Sequence, residues 1–399
     1  MNIVIFSNPD FFGNQKRPQF SSMPRYTNMI ADGMAKRGHQ VTLWSPKSTF
    51  FELPFKGVLK KWMGYIDQYV MFPADVRRRL KDCDPNTLFV FTDQAQGPWI
   101  PLVHKRAHVM HCHDFLAQWS AMGKIKENRT GWTGKQYQKY IRKGWAKGKN
   151  FIAGSYNTNR ELQQLVNKPI SSDVVYTGLD KSYAPADTSK MRAIVGEKTG
   201  LNLSAGYFLH VGGNQWYKNR EGVIELYDSW RVLYNSNLPL LLIGAPPSEQ
   251  ITNRIAQSSF KQDIHVVCGL EDETVRQAYA GATLFLFPSL AEGFGWPIAE
   301  AMASGCPVIT TDEAPMTEVA GKAGYLIPRR PTTKSTVWAE SGAKMIQKVV
   351  NLSDDERQKV VKACIKNAKK FDAETSLDQI ENIYSNISTE FEHSKALSS

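Results

Sequence analysis

Short apolar runs alternate with longer amphipathic stretches along the whole of this 399-residue chain. A run of four to six apolar residues is typical of a strand buried on both faces, whereas apolar residues three or four positions apart indicate a helix. In the first half, the pattern predicts strands at residues 2–7, 39–45, 87–92, 108–111, 150–154 and 173–177, and helices at 24–38, 137–147 and 157–166. This alternation favours a parallel sheet covered by helices on both faces.

The second half of the chain repeats the pattern. It predicts strands at residues 207–211, 238–243, 264–267, 284–287, 308–311 and 325–327, and helices at 219–235, 272–282 and 371–387. A stretch rich in turn-forming residues, 178–187, separates the two halves. We therefore predict an α/β protein with two Rossmann-like domains, at residues 1–178 and 179–370.

The overall composition is that of a globular protein, with 42% hydrophobic and 22% charged residues. No apolar run reaches the ~18 residues that indicate a membrane-spanning helix. The first residues predict a strand rather than a signal peptide. The five cysteines show no Cys-x-x-Cys spacing, so we expect reduced thiols in a cytoplasmic protein.

Positive charge is concentrated in the first half of the chain. Residues 1–200 hold 30 Lys and Arg against 15 Asp and Glu, whereas residues 201–399 hold 19 against 23. Such an excess indicates an anionic partner. An anionic membrane surface, a pyrophosphate-linked lipid and nucleic acid would each fit the charge, and so would an ordinary solvated surface.

Two basic amphipathic stretches lie in this half. Lys56, Lys60 and Lys61 belong to the first, whose apolar members recur at helical spacing: Phe55, Val58, Leu59, Trp62, Met63 and Ile66. The second covers residues 135–147. Helices of this kind can lie on an anionic membrane, although an apolar stripe more often packs on its own domain. Attachment at the inner face of the membrane is therefore an alternative to a free cytoplasmic protein.

The most specific signal is the string Pro-Ser-Leu-Ala-Glu-Gly-Phe-Gly-Trp-Pro-Ile-Ala-Glu at residues 288–300. It places Glu292 and Glu300 after a predicted strand, around a glycine-rich turn that begins a helix. In open α/β sheets, ligands bind at the carboxyl ends of strands. Glycines allow close backbone approach, the N–H groups of a helix start favour anions, and carboxylates accept hydrogen bonds from sugar hydroxyls.

Together with residues 301–312, this string resembles the signature of the retaining, nucleotide-sugar-dependent glycosyltransferases of the GT-B fold, family 4. The resemblance implies an acceptor-side first domain and a nucleotide-sugar-binding second domain that face a cleft, with residues 371–399 crossing back to the first domain. It implies sugar transfer from a nucleotide-diphosphate sugar, UDP-linked or alternatively GDP-linked, to a saccharide or lipid-linked acceptor in polysaccharide or glycolipid synthesis. No cofactor, metal or nucleic acid is implied.

The resemblance also assigns roles at the donor site. Lys218 would stabilise the leaving diphosphate, Glu292 would bind the sugar hydroxyls or support developing positive charge, and Glu300 would hold the ribose. Backbone N–H groups at Phe294 and Gly295 would position sugar and phosphate. The full predicted donor site is Gly213, Asn214, Lys218, Asn219, Leu270, Glu292, Gly293, Phe294, Gly295, Trp296 and Glu300.

On the acceptor side, His113 resembles a histidine that lies beside the transferred sugar, where a neutral imidazole can hydrogen-bond a hydroxyl. With Glu292 and Lys218 it completes the predicted catalytic set. The remaining acceptor-side residues are Gly13, Arg25, Tyr26 and Asp114.

Two other histidine or acid patterns are interpreted without a metal. His111 competes with His113 but lies within the predicted strand, where packing is its expected role. The ligand types of His111, His113 and Asp114 would suit a metal, but no further ligands are evident nearby. The Asp-Cys-Asp sequence at residues 82–84 precedes a proline and predicts a turn.

Two departures from the family pattern keep other functions open. Gly213 stands where an arginine is common, with Arg220 as a candidate replacement, and Ser22 and Met23 replace a pair of glycines. A catalytically inactive GT-B-like partner subunit would fit both departures. A nucleotide-sugar epimerase or a glycoside phosphorylase would keep the fold and change the reaction, and a nucleic-acid binder would explain the charge alone.

Overall fold

The computed structural model describes residues 1–12, 22–166 and 171–397, and the chain divides into two compact units. The first unit is Met1–Tyr176 with Glu374–Ser399, and the second is Thr177–Ala373. Each unit contains one six-stranded sheet in which all neighbouring strands are parallel. The predicted α/β class with two similar domains is confirmed.

The sheet of the first unit has the strand order β2-β1-β3-β4-β5-β6. Its strands are β1 (Asn2–Phe6), β2 (Gln40–Trp44), β3 (Leu88–Phe91), β4 (His108–Cys112), β5 (Asn150–Ala153) and β6 (Ser171–Val174). The helices between them are α1 (Ser22–Lys36), α2 (Gly57–Ile66), α3 (Phe72–Arg79), α4 (Ile100–Val103), α5 (Leu116–Ala121), α6 (Trp132–Trp145) and α7 (Tyr156–Leu165). A π-helical turn, Asp67–Met71, joins α2 to α3.

The second sheet has the order β12-β11-β10-β7-β8-β9. Its strands are β7 (Phe208–Gly212), β8 (Leu240–Gly244), β9 (Ile264–Val267), β10 (Leu284–Phe287), β11 (Val308–Thr311) and β12 (Tyr325–Ile327). Its helices are α8 (Thr188–Thr199), α9 (Arg220–Tyr234), α10 (Glu249–Ala256), α11 (Asp272–Gly281), α12 (Trp296–Ala303), α13 (Met316–Ala320), α14 (Ser335–Val350) and α15 (Asp354–Ala368). The chain ends with α16 (Ala373–Ala396), nearly all of which belongs to the first unit.

Apolar strands buried on both faces form the two cores. In the first unit, Phe6 of β1 stacks on Phe91 of β3 with ring centroids 4.5 Å apart, and Phe72 meets Trp99 edge-on at 4.8 Å. In the second unit, Phe208 of β7 lies 4.5 Å from Trp230 of α9. Such runs without polar alternation are what a sheet covered on both sides requires.

The strand orders create one topological switch point in each sheet. In the second unit the chain proceeds from β7 to β8 and β9 on one side, then returns to place β10 against the other side of β7. In the first unit, β1 lies in the same way between β2 and β3. The loops that follow the two central strands diverge at such a point and leave a crevice that ligands occupy.

Several predicted elements have different bounds in the structure. The helix predicted at 137–147 begins a turn earlier, at Trp132, and the helix predicted at 371–387 is α16, which continues to Ala396. The residues that extend these helices are mostly polar. They add no apolar stripe, so the spacing of apolar residues did not predict them. The strand predicted at 173–177 is β6, whose polar sequence SSDV occupies a sheet edge. Across the described ranges, no helix is long and apolar enough to cross a membrane.

Gly144 allows α6 to pack directly on the backbone that follows β3. A methyl group at this position would overlap the carbonyl oxygen of Gly97. We expect Gly144→Ala to lower the free energy of unfolding of the first unit by about 1–3 kcal/mol, because backbone must move to relieve the overlap. Chemical denaturation measures this change. Gly131→Ala, where an added methyl meets nothing within 4 Å, is the control, and an equal loss in both variants would contradict the packing argument.

Candidate functional site

An ion pair lies at the switch point of the second sheet. Lys218 ends a short helical turn after β7, and Glu292 lies in the loop after β10. The Lys218 Nζ is 2.8 Å and 3.0 Å from the two carboxylate oxygens of Glu292, and the Ser289 hydroxyl donates to Glu292 Oε1 at 2.8 Å. The Glu292 residue is only 8% exposed and the Lys218 side chain 14%. Water and salt therefore screen this pair less than a surface pair.

Asn219 holds the two loops of this site together. Its backbone adopts a left-handed conformation with φ of 52°, and its side chain caps α9 by accepting from the Gly222 N–H. Its Nδ2 donates to the Pro288 carbonyl at 2.8 Å. A backbone hydrogen bond from Leu290 N to Tyr217 O, at 2.7 Å, adds a second link. The Asn219 side chain, predicted to bind the donor, thus fixes Lys218 beside the loop after β10.

The Lys218 ammonium lies over the aromatic ring of Phe287. Its Nζ is 4.9 Å from the centre of the Phe287 ring, and His210 stacks on the same ring at 6.0 Å. His210 Nδ1 donates to the Leu286 carbonyl at 2.9 Å, and burial lowers the pKa of this imidazole to about 3. The ring is therefore neutral at physiological pH and adds no second cation beside Lys218. Among the described residues its Nε2 has no hydrogen-bond partner.

Glu300 lies in α12, directly after the glycine-rich turn. Gly295 precedes the helix with φ of +100°, a backbone conformation that glycine adopts without strain, and Pro297 occupies the first turn. Glu300 is 5% exposed, and one of its carboxylate oxygens accepts from the Tyr279 hydroxyl at 2.9 Å. The carboxylate is thereby held at a fixed position on the helix.

The residues between the two glutamates form the turn itself. Phe294 is buried and packs edge-on against Phe371 at 5.2 Å. This anchors the turn from Gly293 to Trp296 through one aromatic ring. The predicted use of backbone N–H groups at Phe294 and Gly295 stays a prediction.

Arg220 does not take the place of the arginine absent at Gly213. Its guanidinium is turned inward, is 3% exposed and donates to the carbonyls of Gly212 and Ala245 at 2.8 and 3.0 Å. It also donates to Asn214 Oδ1 at 2.9 Å. Our suggestion that Arg220 replaces the missing cation is wrong for this conformation, because all three contacts brace the ends of β7 and β8.

Two further predicted donor residues lie at the same edge of the sheet. Asn214 is braced from both sides, since its Nδ2 also donates to the Pro246 carbonyl at 2.6 Å. Leu270 follows β9, which is separated from β7 by β8. Lys218 and Glu292 therefore lie in the segments that follow the two central strands at the switch point, Glu300 lies in the helix after the second of them, and Leu270 lies farther along the edge.

In the first unit, His113 directly follows β4. Its Nε2 donates to the Thr92 carbonyl at 2.8 Å, and its backbone N–H donates to Gln94 Oε1 at 3.0 Å. Burial lowers the pKa of His113, and the charge of Asp93 opposes part of this shift. A neutral ring that donates from Nε2 keeps Nδ1 as a hydrogen-bond acceptor. This tautomer suits the predicted contact with a sugar hydroxyl.

His111 and Tyr26 form the support behind His113. The Tyr26 hydroxyl lies 2.7 Å from His111 Nδ1, and the Tyr384 hydroxyl of α16 lies 2.7 Å from His111 Nε2. The ring of Tyr26 packs edge-on against His113 at 4.5 Å. Because both nitrogens of His111 are engaged by tyrosines, this side chain links α1, β4 and α16. Tyr26, predicted on the acceptor side, is buried in this network.

The remaining residues predicted on the acceptor side are Asp114, Arg25 and Gly13. One carboxylate oxygen of Asp114 accepts from the Leu116 N–H at the start of α5, at 3.0 Å. Arg25 is half-buried in the first turns of α1. Gly13 lies outside the described residues. Within the described ranges, no group of three or more His, Cys, Asp or Glu is placed to hold a metal ion.

The sequence reasoning missed a polar group at the switch point of the first sheet. Asn8 follows β1 and donates to Asp93 Oδ2 at 2.6 Å, and Gln96 donates to Asn8 Oδ1 at 3.2 Å. Asp93 and Gln94 directly follow β3. Polar residues at the carboxyl end of a predicted strand were the available signal. These residues set the position and the electrostatic surroundings of His113.

Two protein-family models match the chain. The model described as "Glycosyltransferase Family 4" matches residues 23–183, and the model described as "Glycosyl transferases group 1" matches residues 205–348. Together they cover more than half of the chain. The chain belongs to the group 1, family 4 glycosyltransferases. The second match contains Lys218, Glu292 and Glu300, and the first contains His113.

Curated relatives resemble parts of this family member. It is 29% identical over 182 residues to O-antigen chain mannosyltransferase B of Escherichia coli, covering 45% of each chain. It is 26% identical over 251 residues to D-inositol 3-phosphate glycosyltransferase of Nocardioides sp., covering 57% of this chain and 52% of the relative. The chain thus spans about half the length of the curated relatives that it matches.

Solved structures with this fold align over nearly the whole chain. WaaG, a glycosyltransferase involved in lipopolysaccharide biosynthesis, aligns with a TM-score of 0.71 at 17% identity, over 96% of this chain and 99% of WaaG. Anabaena Alr3699/HepE in complex with UDP and glucose aligns with a TM-score of 0.69 at 15% identity, over 97% and 100%. These likenesses establish the GT-B fold.

Two buried histidines make the stability of the protein depend on pH. Burial lowers the pKa of His111 and His210 to about 3, whereas an unfolded histidine titrates near about 6.5. Below that value the unfolded chain binds protons that the folded protein excludes, so stability is lost as pH falls from about 6.5 toward 3. We expect a loss of about 2 kcal/mol per histidine between pH 7 and pH 5, measured by chemical denaturation.

His210→Asn isolates one share of this loss. The amide retains a donor for the Leu286 carbonyl and cannot titrate, so the variant should lose about 2 kcal/mol less than wild type over the same interval. His393→Asn, in the exposed end of α16, is the control and should behave as wild type. An unchanged pH dependence in His210→Asn would contradict the account.

Proposed function

We propose that the protein is a retaining hexosyltransferase that moves a sugar from a nucleotide-diphosphate donor to a saccharide or lipid-linked acceptor in polysaccharide or glycolipid synthesis. The donor is UDP-linked, with a GDP-linked sugar as the alternative. We propose that it acts in the cytoplasm, free or at the inner face of the membrane. The names of the relatives support this: one is an O-antigen mannosyltransferase, another an inositol 3-phosphate glycosyltransferase.

The Lys218–Glu292 pair at the switch point is the observation that carries the proposal. Departure of a nucleoside diphosphate builds negative charge, and an ammonium fixed beside the leaving group stabilises that charge. The Lys218 ammonium is ion-paired with the Glu292 carboxylate, which also accepts a hydrogen bond from the Ser289 hydroxyl. A diphosphate that enters between Lys218 and the first turn of α12 would exchange one anionic partner of the lysine for another.

The neighbouring residues have separate proposed roles. Once Lys218 turns to the diphosphate, the Glu292 carboxylate is released to accept hydrogen bonds from sugar hydroxyls, or to face positive charge that develops on the sugar ring. Glu300, which Tyr279 holds in place, is proposed to accept from the ribose hydroxyls. His113, neutral and accepting at Nδ1, is proposed to accept a hydrogen bond from a hydroxyl of the transferred sugar.

A retaining reaction needs the proton of the acceptor hydroxyl to be removed on the face from which the diphosphate leaves. We propose that a phosphate oxygen of the leaving group takes this proton while the bond from the acceptor oxygen to the anomeric carbon forms. Lys218 would then hold the diphosphate after the bond between the anomeric carbon and the diphosphate oxygen breaks. No protein nucleophile is needed in this scheme.

Replacing the two members of the pair separates donor binding from transfer. Lys218→Ala should weaken binding of UDP or GDP and reduce sugar transfer about 100-fold or more, because the leaving group loses its cation. Glu292→Gln should also reduce transfer about 100-fold, but should bind the free nucleoside diphosphate as tightly as wild type or tighter, because the carboxylate no longer competes for Lys218. Calorimetric titration and turnover with radiolabelled donor measure the two effects.

Matched controls lie on the exposed face of α14. Lys344→Ala and Glu340→Gln repeat the two substitutions at exposed positions and should leave binding and transfer unchanged. Normal turnover in either active-site variant would refute the assigned roles. Nucleotide binding with donor isomerisation and no acceptor would indicate an epimerase, and failure to bind any nucleotide would indicate an inactive partner subunit.

We expect transfer to proceed without a divalent metal, because Lys218 and the first turn of α12 balance the diphosphate charge. Turnover measured after treatment with EDTA should equal turnover with added Mg²⁺ or Mn²⁺. Loss of activity on chelation, restored by either ion, would contradict this part of the proposal.

A further inference from the structure

The outer face of α2 is apolar and exposed to solvent. Val58 and the adjacent Leu59 are 72% and 58% exposed, and Trp62, one helical turn later, is 56% exposed. Phe55, just before the helix, is 40% exposed. The sequence grouped these residues with Met63 and Ile66 in one stripe, for which packing on its own domain and contact with a membrane were both open. In the structure the stripe divides, since Met63 and Ile66 are half-buried and the other four residues face water.

Positive charge surrounds this α2 face, which we define by Phe55, Val58, Leu59 and Trp62. No acidic residue occurs between residues 53 and 66, whereas Lys56, Lys60 and Lys61 do. Asp67, the next acid in the chain, is fully buried and accepts from the backbone N–H groups of residues 49–51. The Asp67 carboxylate is therefore bound to backbone N–H groups in the interior of the unit. Lys56, Lys60 and Lys61 have no exposed acidic residue beside them in this helix.

A tyrosine cluster attaches a second basic helix to α2. Tyr65 stacks on Tyr137 of α6 at 5.8 Å, and the hydroxyls of Tyr69 and Tyr137 are 2.7 Å apart. The exposed residues of α6 include three lysines one helical turn apart, Lys135, Lys139 and Lys143, and the exposed Lys147 follows the helix. No acidic residue occurs from residue 128 to residue 160. The cluster thus places a second acid-free, lysine-rich helix beside α2.

We propose that the α2 face docks the protein on the surface of an anionic lipid bilayer. Val58, Leu59 and Trp62 would enter the headgroup region, and the lysines of α2 and α6 would meet the anionic headgroups. This combination of exposed apolar and aromatic residues with lysines is typical of helices that lie in a membrane interface. A protein partner or a second copy fits less well, since lysine is depleted in protein–protein interfaces.

The inference deepens the proposed function, on which its biological meaning rests, but its test does not require catalysis. Flotation measures binding of the full-length protein to vesicles of phosphatidylcholine alone and to vesicles of an equimolar mixture with phosphatidylglycerol. We expect binding only to the mixed vesicles, weakened by added salt because the lysine contribution is screened. The double variant Val58→Glu/Leu59→Glu should reduce this binding at least about tenfold.

A matched control exists on the second unit. Val232 and Leu233 of α9 are adjacent helical residues with 71% and 47% exposure, so Val232→Glu/Leu233→Glu introduces the same charges at similar sites. This control should bind the vesicles as wild type does. UDP binding and transfer to a water-soluble acceptor should be retained in both double variants, which separates failure of membrane docking from failure of the proposed catalysis.

Three results would overturn the proposal. One is a wild-type protein that fails to bind mixed vesicles, and another is equal binding by the two double variants. The third is a wild-type dimer, seen by light scattering, that Val58→Glu/Leu59→Glu converts to a monomer while vesicle binding persists. That outcome would make the α2 face an interface between two copies of the chain.

Discussion

The contact between the Lys218 ammonium and the Glu292 carboxylate is the interaction on which the candidate site of the second unit depends. Both groups are mostly buried, so each requires the other while no ligand is bound. Neither would meet the other without the strand order that places β7 beside β10. The Glu292 carboxylate compensates the charge of this ammonium while no ligand is bound, and the ammonium is proposed to contact the diphosphate of the donor.

The surrounding residues convert this contact into a defined geometry. Asn219 links the loops after β7 and β10, and Arg220 ties the ends of β7 and β8. His210 is kept neutral by burial and therefore adds no positive charge beside the lysine. In the first unit, His113 receives comparable support from Thr92, Gln94 and Tyr26. In each case backbone carbonyls or buried polar groups fix a side chain that is proposed to meet the substrate.

Much of this arrangement is present in the sequence, and its limits have physical causes. Apolar runs predicted each of the twelve strands found in the described residues, most clearly the central strands, because a strand buried on both faces leaves a continuous signal, although the bounds of β6 were displaced by its polar edge sequence. The motif around Glu292 and Glu300 predicted the candidate site because its glycines and acids are local in the chain. The inward turn of Arg220 and the support of His113 by Asp93 and Gln94 depend on contacts between distant segments, and a one-dimensional pattern does not encode them.

The division of the apolar stripe on α2 illustrates the same limit. Helical spacing showed that Val58 and Trp62 lie on the same side of α2. Whether that side packs on the core depends on how α2 is oriented in the folded unit. The tyrosine contacts with α6 and the buried Asp67 determine this orientation. They turn Met63 and Ile66 inward and leave the lysine-bearing side exposed. Exposure of an apolar face beside uncompensated positive charge is therefore a property of the fold.

A crystal structure with a bound nucleoside diphosphate would test the central claim most directly. The account predicts that an oxygen of the terminal phosphate lies within hydrogen-bond distance of Lys218 Nζ, that the contact between Lys218 and Glu292 is lengthened or broken, and that the ribose hydroxyls meet Glu300. A diphosphate bound elsewhere, with the Lys218–Glu292 contact unchanged, would contradict it.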